Sequence, residues 1–303
     1  MKVSINGREY LFVANAIKDD AFRDCYFDLA KKVFGLDFGP WYRSGFCDSC
    51  FVPYTLFADG VAVSSVGVVL NDFVWRGSTR TYAQISTVAT DPDYRLRGLG
   101  RWLTEMVLNE WTGKCDCIYL YANDSVVDYY PKFGFAPAYE YRYHMPFTKK
   151  DGMYRKKDGM YRKLDLSIPG DVDLLIKKHK GSNPFSSLTM QDDIEIMMFH
   201  CITFLRDCLY YVEKYDAVVV AEMDEHDMFC YDVYSENSCD MSDILGVVAS
   251  EGIRNVTLGF TPKVDAGYTI ERANEDDTTV FVLKGTENIF VDNRITLPFL
   301  SRA

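Results

Sequence analysis

Between Tyr82 and Thr90 the chain alternates. Tyr82, Gln84, Ser86, Val88 and Thr90 interleave with Ala83, Ile85, Thr87 and Ala89, a period of two that predicts a strand. Asp91-Pro92-Asp93 interrupts it, because proline has no N–H for a ladder. The period then lengthens, with Leu99, Leu103, Met106 and Val107 on one face of a helix that opens near Gly98. Upstream, the same reading gives a strand over 2–13 turning at Asn6-Gly7. A helix follows from Asp19-Asp20, with Tyr26, Leu29, Ala30 and Val33 on its apolar stripe and Gly35 as its stop. Residues 35–53 read as a loop, and 54–70 with 72–90 as three antiparallel strands turning at Asp59-Gly60 and Arg76-Gly77-Ser78. A strand over 117–121, a short helix over 125–133 and a strand over 135–145 complete this half. After residue 164 the pattern predicts helices over 171–180, 191–209 and 242–251, and strands over 210–220, 228–234, 256–260 and 280–283. The chain is therefore mixed α/β.

The link between the first strand and helix described carries the chemistry: Arg95-Leu96-Arg97-Gly98-Leu99-Gly100-Arg101. Without Cβ atoms at Gly98 and Gly100, several N–H groups at the helix start can converge on an anion. The helix dipole adds roughly half a positive charge there, and the arginines add full ones. Taken alone, these residues also suit a glycine-bearing helix start with solvated arginines. Two other phosphate motifs fit worse, since Leu103 stands where a G-x-G-x-x-G needs its third glycine and no G-K-[ST] is present.

These residues match the R/Q-x-x-G-x-G/A signature of the GCN5-related N-acetyltransferases (GNAT). Downstream, Asn123 followed by Tyr130-Pro131-Lys132-Phe133-Gly134-Phe135 resembles that family's N-x6-Y-x-K-x-G-F. The resemblance spans roughly residues 1–146. It implies a mixed-sheet acyl-CoA acyltransferase fold with acetyl-CoA as co-substrate and no metal. It also implies that Val88, Ala89 and Thr90 offer a backbone edge to pantetheine where two strands splay. Arg95, Leu96, Arg97, Gly98, Leu99, Gly100 and Arg101 would then take the pyrophosphate, Asn123 the pantetheine side, and Tyr130 the sulfur. Leu96 departs from the small residue frequent at its position. The segment before the sheet walls the acceptor pocket in the family, which makes Trp41, Tyr42 and Phe46 candidates. Helix 242–251 followed by NVTLGFTP echoes the earlier helix and YLYAND, so the second half reads as a degenerate copy of the first, with an unrelated cap as the alternative. Multidomain members of the enhanced-intracellular-survival type pair two such domains and place the chain's terminal carboxylate in the active site. The end Leu300-Ser301-Arg302-Ala303 does not establish that role.

Length and composition change the picture in three ways. With 303 residues, 48% hydrophobic, the chain is long enough for two domains; the expected division is 1–148, a basic linker 149–163 containing a tandem KDGMYRK, and 164–303. Lys plus Arg stand 15 against 17 acidic residues in the first part, 7 against 2 in the linker and 11 against 25 in the last. An acidic second half repels nucleic acid and favours a cationic acceptor. No run of eighteen apolar residues and no signal-like start is present, so the expectation is a cytoplasmic protein without a membrane partner. Nine cysteines then read as reduced thiols, and Cys47-Asp48-Ser49-Cys50 has a spacing that zinc and dithiol centres both use.

Acetyl transfer to a small-molecule or peptide amine needs a held thioester, a neutral amine and a proton for the leaving thiolate. An amine of pKa about 10.4 is about 4.6 kcal/mol from neutral at pH 7. Strand 82–90 offers only Gln84, Ser86 and Thr87, none of them a base. Tyr130 is placed as a hydrogen-bond donor to the thiolate, since full transfer from a phenol near pKa 10 to a thiol near 8.5 runs uphill by about 2 kcal/mol. Two other classes stand beside it: a module that binds acyl-CoA without turnover, and an aminoacyl-tRNA-dependent transferase, some of which pair two such folds but which the phosphate loop and the acidic half both disfavour.

Overall fold

A computed structural model describes residues 1–148, 161–191, 194–236 and 239–303. Apart from its last three residues, the tandem repeat lies outside them. The first half contains β1 (Lys2–Ile5), β2 (Arg8–Ala14), α1 (Asp20–Phe34), α2 (Gly39–Arg43), β3 (Phe51–Ala58), β4 (Val61–Trp75), β5 (Ser78–Thr90), α3 (Leu99–Trp111), β6 (Cys117–Ala122), β7 (Phe135–Ala138) and β8 (Tyr141–Pro146). The second contains β9 (Arg162–Lys163), α4 (Pro169–Lys180), β10 (Leu188–Met190), α5 (Glu195–Thr203), β11 (Leu209–Val212), β12 (Ala217–Met223), β13 (Asp227–Ser235), α6 (Met241–Val248), β14 (Asn255–Leu258), β15 (Thr269–Arg272) and β16 (Thr279–Leu283).

One sheet runs β1-β2-β3-β4-β5-β6-β16-β7, with β10 added to β4; the other runs β15-β8-β14-β13-β12-β11-β9. Two neighbouring pairs are parallel, β5/β6 and β13/β14. Each is joined by the helix a parallel crossover requires, α3 and α6 respectively. The mixed α/β expectation holds, and the second sheet repeats the plan of the first.

The sheets exchange a strand. β16, late in the chain, lies between β6 and β7, where Val280 faces Tyr121 on one side and Ala138 on the other. In return β8 lies between β14 and β15. The single strand expected over 135–145 is therefore two strands in different sheets, and sheet membership does not follow the expected boundary at 148. The cause is packing on both faces: Phe281 and Leu283 join the core under α3, while Val280 and Val282 join the opposite one.

Local corrections have local causes. The helix expected over 191–209 is α5 alone: Gln191 continues the pairing with β4, its N donating to Asp72 O at 2.8 Å, and β11 begins at Leu209. Residues 210–220 form two strands around a turn at Asp216, whose φ is 46°. Residues 125–133 form two short 3₁₀ turns, Asp124–Val126 and Tyr130–Phe133, and β15 had no clear sequence signal. In the first sheet, Leu99, Leu103 and Val107 of α3 pack on one face with Val68, Ile85 and Ile118. Tyr26 and Leu29 of α1 and Phe199 of α5 pack on the other with Phe51, Val69 and Ala89.

Candidate functional site

The site begins as an irregularity in β5. Gly67 of β4 pairs with Ser86 and Ser65 with Ala89, so β5 carries an extra residue in a bulge. Thr87 takes φ 46° there, a left-handed conformation. Gly67 makes room for it, since a Cβ at that position would lie 2.5 Å from both Thr87 Oγ1 and the Phe51 ring. The parallel ladder from β5 to β6 ends at Ile85 and Leu120, and residues 86–90 have no partner on that side among the described residues.

The loop after β5 completes the opening. Asp91 caps it by accepting from Asp93 N at 3.0 Å and pairs with Lys32 at 2.8 Å, and this ammonium holds the buried carboxyl below its ordinary range. Gly98 sits at φ 80° as the cap of α3, and the first helical bond is Trp102 N to Gly98 O at 3.0 Å. The amides of Gly98, Leu99, Gly100 and Arg101 thus make no hydrogen bond among the described residues. A cavity of about 790 Å³ joins these amides to the open edge of β5.

Of the residues expected there, Val88, Thr90, Arg95, Leu96, Gly98, Leu99, Gly100, Arg101, Asn123 and Tyr130 line the cavity. Leu96, at φ 62°, projects fully into solvent at the mouth. Ala89 does not line it, because the bulge turns its side chain to the α1 face and Ser64 Oγ donates to its carbonyl at 2.9 Å. Arg97 is tethered instead: it donates to Asp93 O at 2.6 Å and lies 4.4 Å over the Tyr94 ring. Asn123 donates its side-chain amide to the Asp277 carboxylate at 2.8 Å and to the Asp277 backbone carbonyl at 3.3 Å, which leaves its side-chain carbonyl for a ligand. Tyr94, Tyr121 and Tyr129 also line the cavity. Sequence reasoning missed them, and the pair Tyr129-Tyr130 was the only hint.

Tyr130 is buried in a nest of rings, Tyr129 at 5.2 Å, Phe135 at 6.1 Å and Phe281 at 6.1 Å. Its hydroxyl makes no hydrogen bond among the described residues, and burial pushes its pKa up to about 12. The phenol therefore stays protonated at neutral pH, a donor waiting for an acceptor. Gln84 is already engaged: it donates to Ala303 O at 2.6 Å and accepts from Ala303 N at 3.1 Å and from Tyr119 at 3.2 Å. Arg302 anchors this end of the chain on Glu140 at 2.8 Å and Glu275 at 3.0 Å.

Among the acceptor-wall candidates, Trp41 lines a smaller space beside the cavity, Tyr42 is held by Arg23 at 2.7 Å, and Phe46 packs toward α5. The Cys47–Cys50 turn wraps the Glu195 carboxylate, which accepts from the amides of Asp48, Ser49 and Cys50. Burial, with Glu195 beside it, pushes the Cys47 thiol up to about 12, the opposite of what a thiolate nucleophile or metal ligand requires.

The sequence profile of the acetyltransferase (GNAT) family matches residues 15–135, the stretch that holds the bulge, the glycine loop and Tyr130. Residues 15–135 are a GNAT domain. The GNAT likeness extends in fold across both halves. The GCN5-related N-acetyltransferase from Kribbella flavida superposes with a TM-score of 0.54 at 16% identity, over 90% of this chain and 71% of that one. Eis1 from Mycobacterium abscessus gives 0.53 at 13%, over 89% and 73%. The GCN5-related N-acetyltransferase from Anabaena variabilis gives 0.53 at 13%, over 90% and 72%. No curated protein matches this sequence. Acyl transfer is the chemistry of the GNAT family, and among the described residues no helix is long and apolar enough to cross a membrane.

Proposed function

We propose that this chain transfers an acetyl group from acetyl-CoA to a primary amine by direct attack. The observation that carries this reading is the continuity of one 790 Å³ cavity from the unpartnered edge of β5 to four uncommitted amides at the start of α3. The amides of Gly98 to Arg101, with Arg95 and Arg101 at the rim, would hold a pyrophosphate; charge-assisted hydrogen bonds of this kind contribute about 1.5–3 kcal/mol each. Residues 86–90 would pair with the pantetheine amides. A thioester held there supplies an activated acyl group.

The amine nitrogen forms the new bond to the acyl carbon while the carbon–sulfur bond breaks, and the Tyr130 hydroxyl donates to the sulfur as charge develops on it. No carboxylate side chain lines the cavity among the described residues. In this reading solvent water takes the proton that leaves the amine, and the excess acid of the second half would concentrate a cationic acceptor. Free thiol released from acetyl-CoA across a panel of polyamines, aminoglycosides and peptide N-termini, with the product mass rising by one acetyl group, tests the reading. Tight coenzyme binding with no acetylated product from any amine would favour the module that binds without turnover.

A further inference from the structure

Behind Ser86 and Thr87 lies a second space of about 30 Å³, walled chiefly by Phe38, Trp41, Phe51 and Phe199. One water-sized group needs roughly 10–15 Å³, so the niche holds about two. Most of its walls are aromatic or aliphatic, with Leu36 and Ile196 beside the four rings. The rings pack on one another, with Phe38 and Phe51 each 6.0 Å and Phe199 5.1 Å from Trp41. The one polar atom of Trp41 is spent on Glu195 O at 2.9 Å. No charged side chain lines the space, and its polar neighbours are the hydroxyls of Ser86 and Thr87 and the backbone of Ala303, which Gln84 holds.

Ser86 and Thr87 line both this niche and the large cavity. Ser86 is only 6% exposed and its Oγ has no hydrogen-bond partner, an arrangement proteins rarely leave unmatched. A carbonyl arriving at the shared wall would satisfy it, and whatever is attached to that carbonyl would point its carbon chain at the rings.

We propose that the niche takes the hydrocarbon tail of the transferred acyl group, so that the chain prefers propionyl and butyryl to acetyl and rejects hexanoyl. This rests on the acyl-CoA reading above. Each methylene entering an apolar site should tighten binding about fourfold, and the volume sets the limit at about two.

Calorimetric titration of the full chain with CoA and with acetyl-, propionyl-, butyryl- and hexanoyl-CoA tests the proposal without an acceptor. The Kd should fall about fourfold per carbon from acetyl to butyryl and rise again at hexanoyl. Leu36 lies half-buried at the rim of the niche, after α1. Leu36→Trp should fill the space and erase the butyryl advantage while leaving CoA and acetyl-CoA affinity unchanged. Phe199→Ala should move the optimum toward hexanoyl. Equal affinity for acetyl-, propionyl- and butyryl-CoA beside tight CoA binding would overturn the niche and leave the coenzyme reading standing, as would a butyryl preference that survives Leu36→Trp. No binding of CoA at all would overturn both.

Discussion

The two halves have the same irregularity and put it to opposite ends. In the first, β5 carries an extra residue just past the end of its parallel ladder; in the second, β13 carries Tyr231 as an extra residue at the corresponding place, just past Cys230. Both sheets splay there. In the second, the chain's own segment fills the gap: Asn183 donates to Asp232 at 2.6 Å, Ser187 N to Thr261 O at 2.8 Å, and Lys263 N to Phe185 O at 2.8 Å. What remains is about 10 Å³, against about 790 Å³ in the first. The link before α6 has no glycine, and Asp240 caps the helix with a negative charge where an anion would have to sit. A splay alone is thus not a coenzyme site. It becomes one when the strand edge is left unfilled and the next helix presents bare amides.

The largest effect should come from cutting the halves apart. Without 161–303, β6 and β7 lose β16 and the core under α3 loses Phe281 and Leu283. The fragment 1–148 is expected to show no cooperative thermal transition, and co-expression with 161–303 to restore one; a fragment that melts cooperatively and binds CoA would show that the exchange is dispensable. Next, Gly98→Val forces a β-branched residue to φ 80° and sets a Cβ 2.9 Å from Asn6 Nδ2. Coenzyme affinity should drop by roughly two orders of magnitude, equivalent to about 2.7 kcal/mol, with the far-ultraviolet spectrum unchanged. The intact chain should take up one coenzyme, and a calorimetric stoichiometry of two would erase the contrast between the halves.

Smaller effects sharpen the comparison. Tyr130→Phe removes a donor that matters only as the sulfur gains charge, so kcat should fall by about ten- to a thousandfold while coenzyme Kd holds; an unchanged kcat, with chemistry limiting, would leave Tyr130 a packing residue. In the filled splay, burial lifts Asp232 from 3.8 to about 6. Its proton is held more tightly folded than unfolded. The stabilisation is full below about pH 4, fades between about 4 and 6, and is gone above. Asp232→Asn should flatten that part of the stability profile, with a change on the order of 3 kcal/mol, read from denaturant midpoints across pH.

What the sequence disclosed was whatever is encoded locally. The alternation of β5, the apolar face of α3 and the glycines of the loop each lie within a dozen residues and were legible. Ala89 was not, for a definite reason: one bulged residue inverts every side chain after it. Ile85 and Val88, three apart, accordingly share the α3 face, while Ala89 turns away. The exchange was equally hidden. Val280-Phe281-Val282-Leu283 looks like any buried strand, and nothing local says that its neighbours are β6 and β7. The break between β7 and β8 rests on Glu140, buried against Arg302 at the far end of the chain. A continuous strand pattern over 135–145 could not reveal it.

The exchanged strands also set a timetable for biosynthesis. When β6 and β7 leave the ribosome, the strand that must lie between them has not been made, and Val280 can meet Tyr121 only after nearly the whole second half has followed. At about 5–20 residues per second the wait is on the order of ten seconds, far longer than the collapse of a small domain. During that interval two adjacent edges of the nascent first sheet stand open, the kind of surface that recruits the wrong strand. A chaperone that shields extended segments would find its substrate here, and a pause in translation after residue 146 would lengthen the exposure.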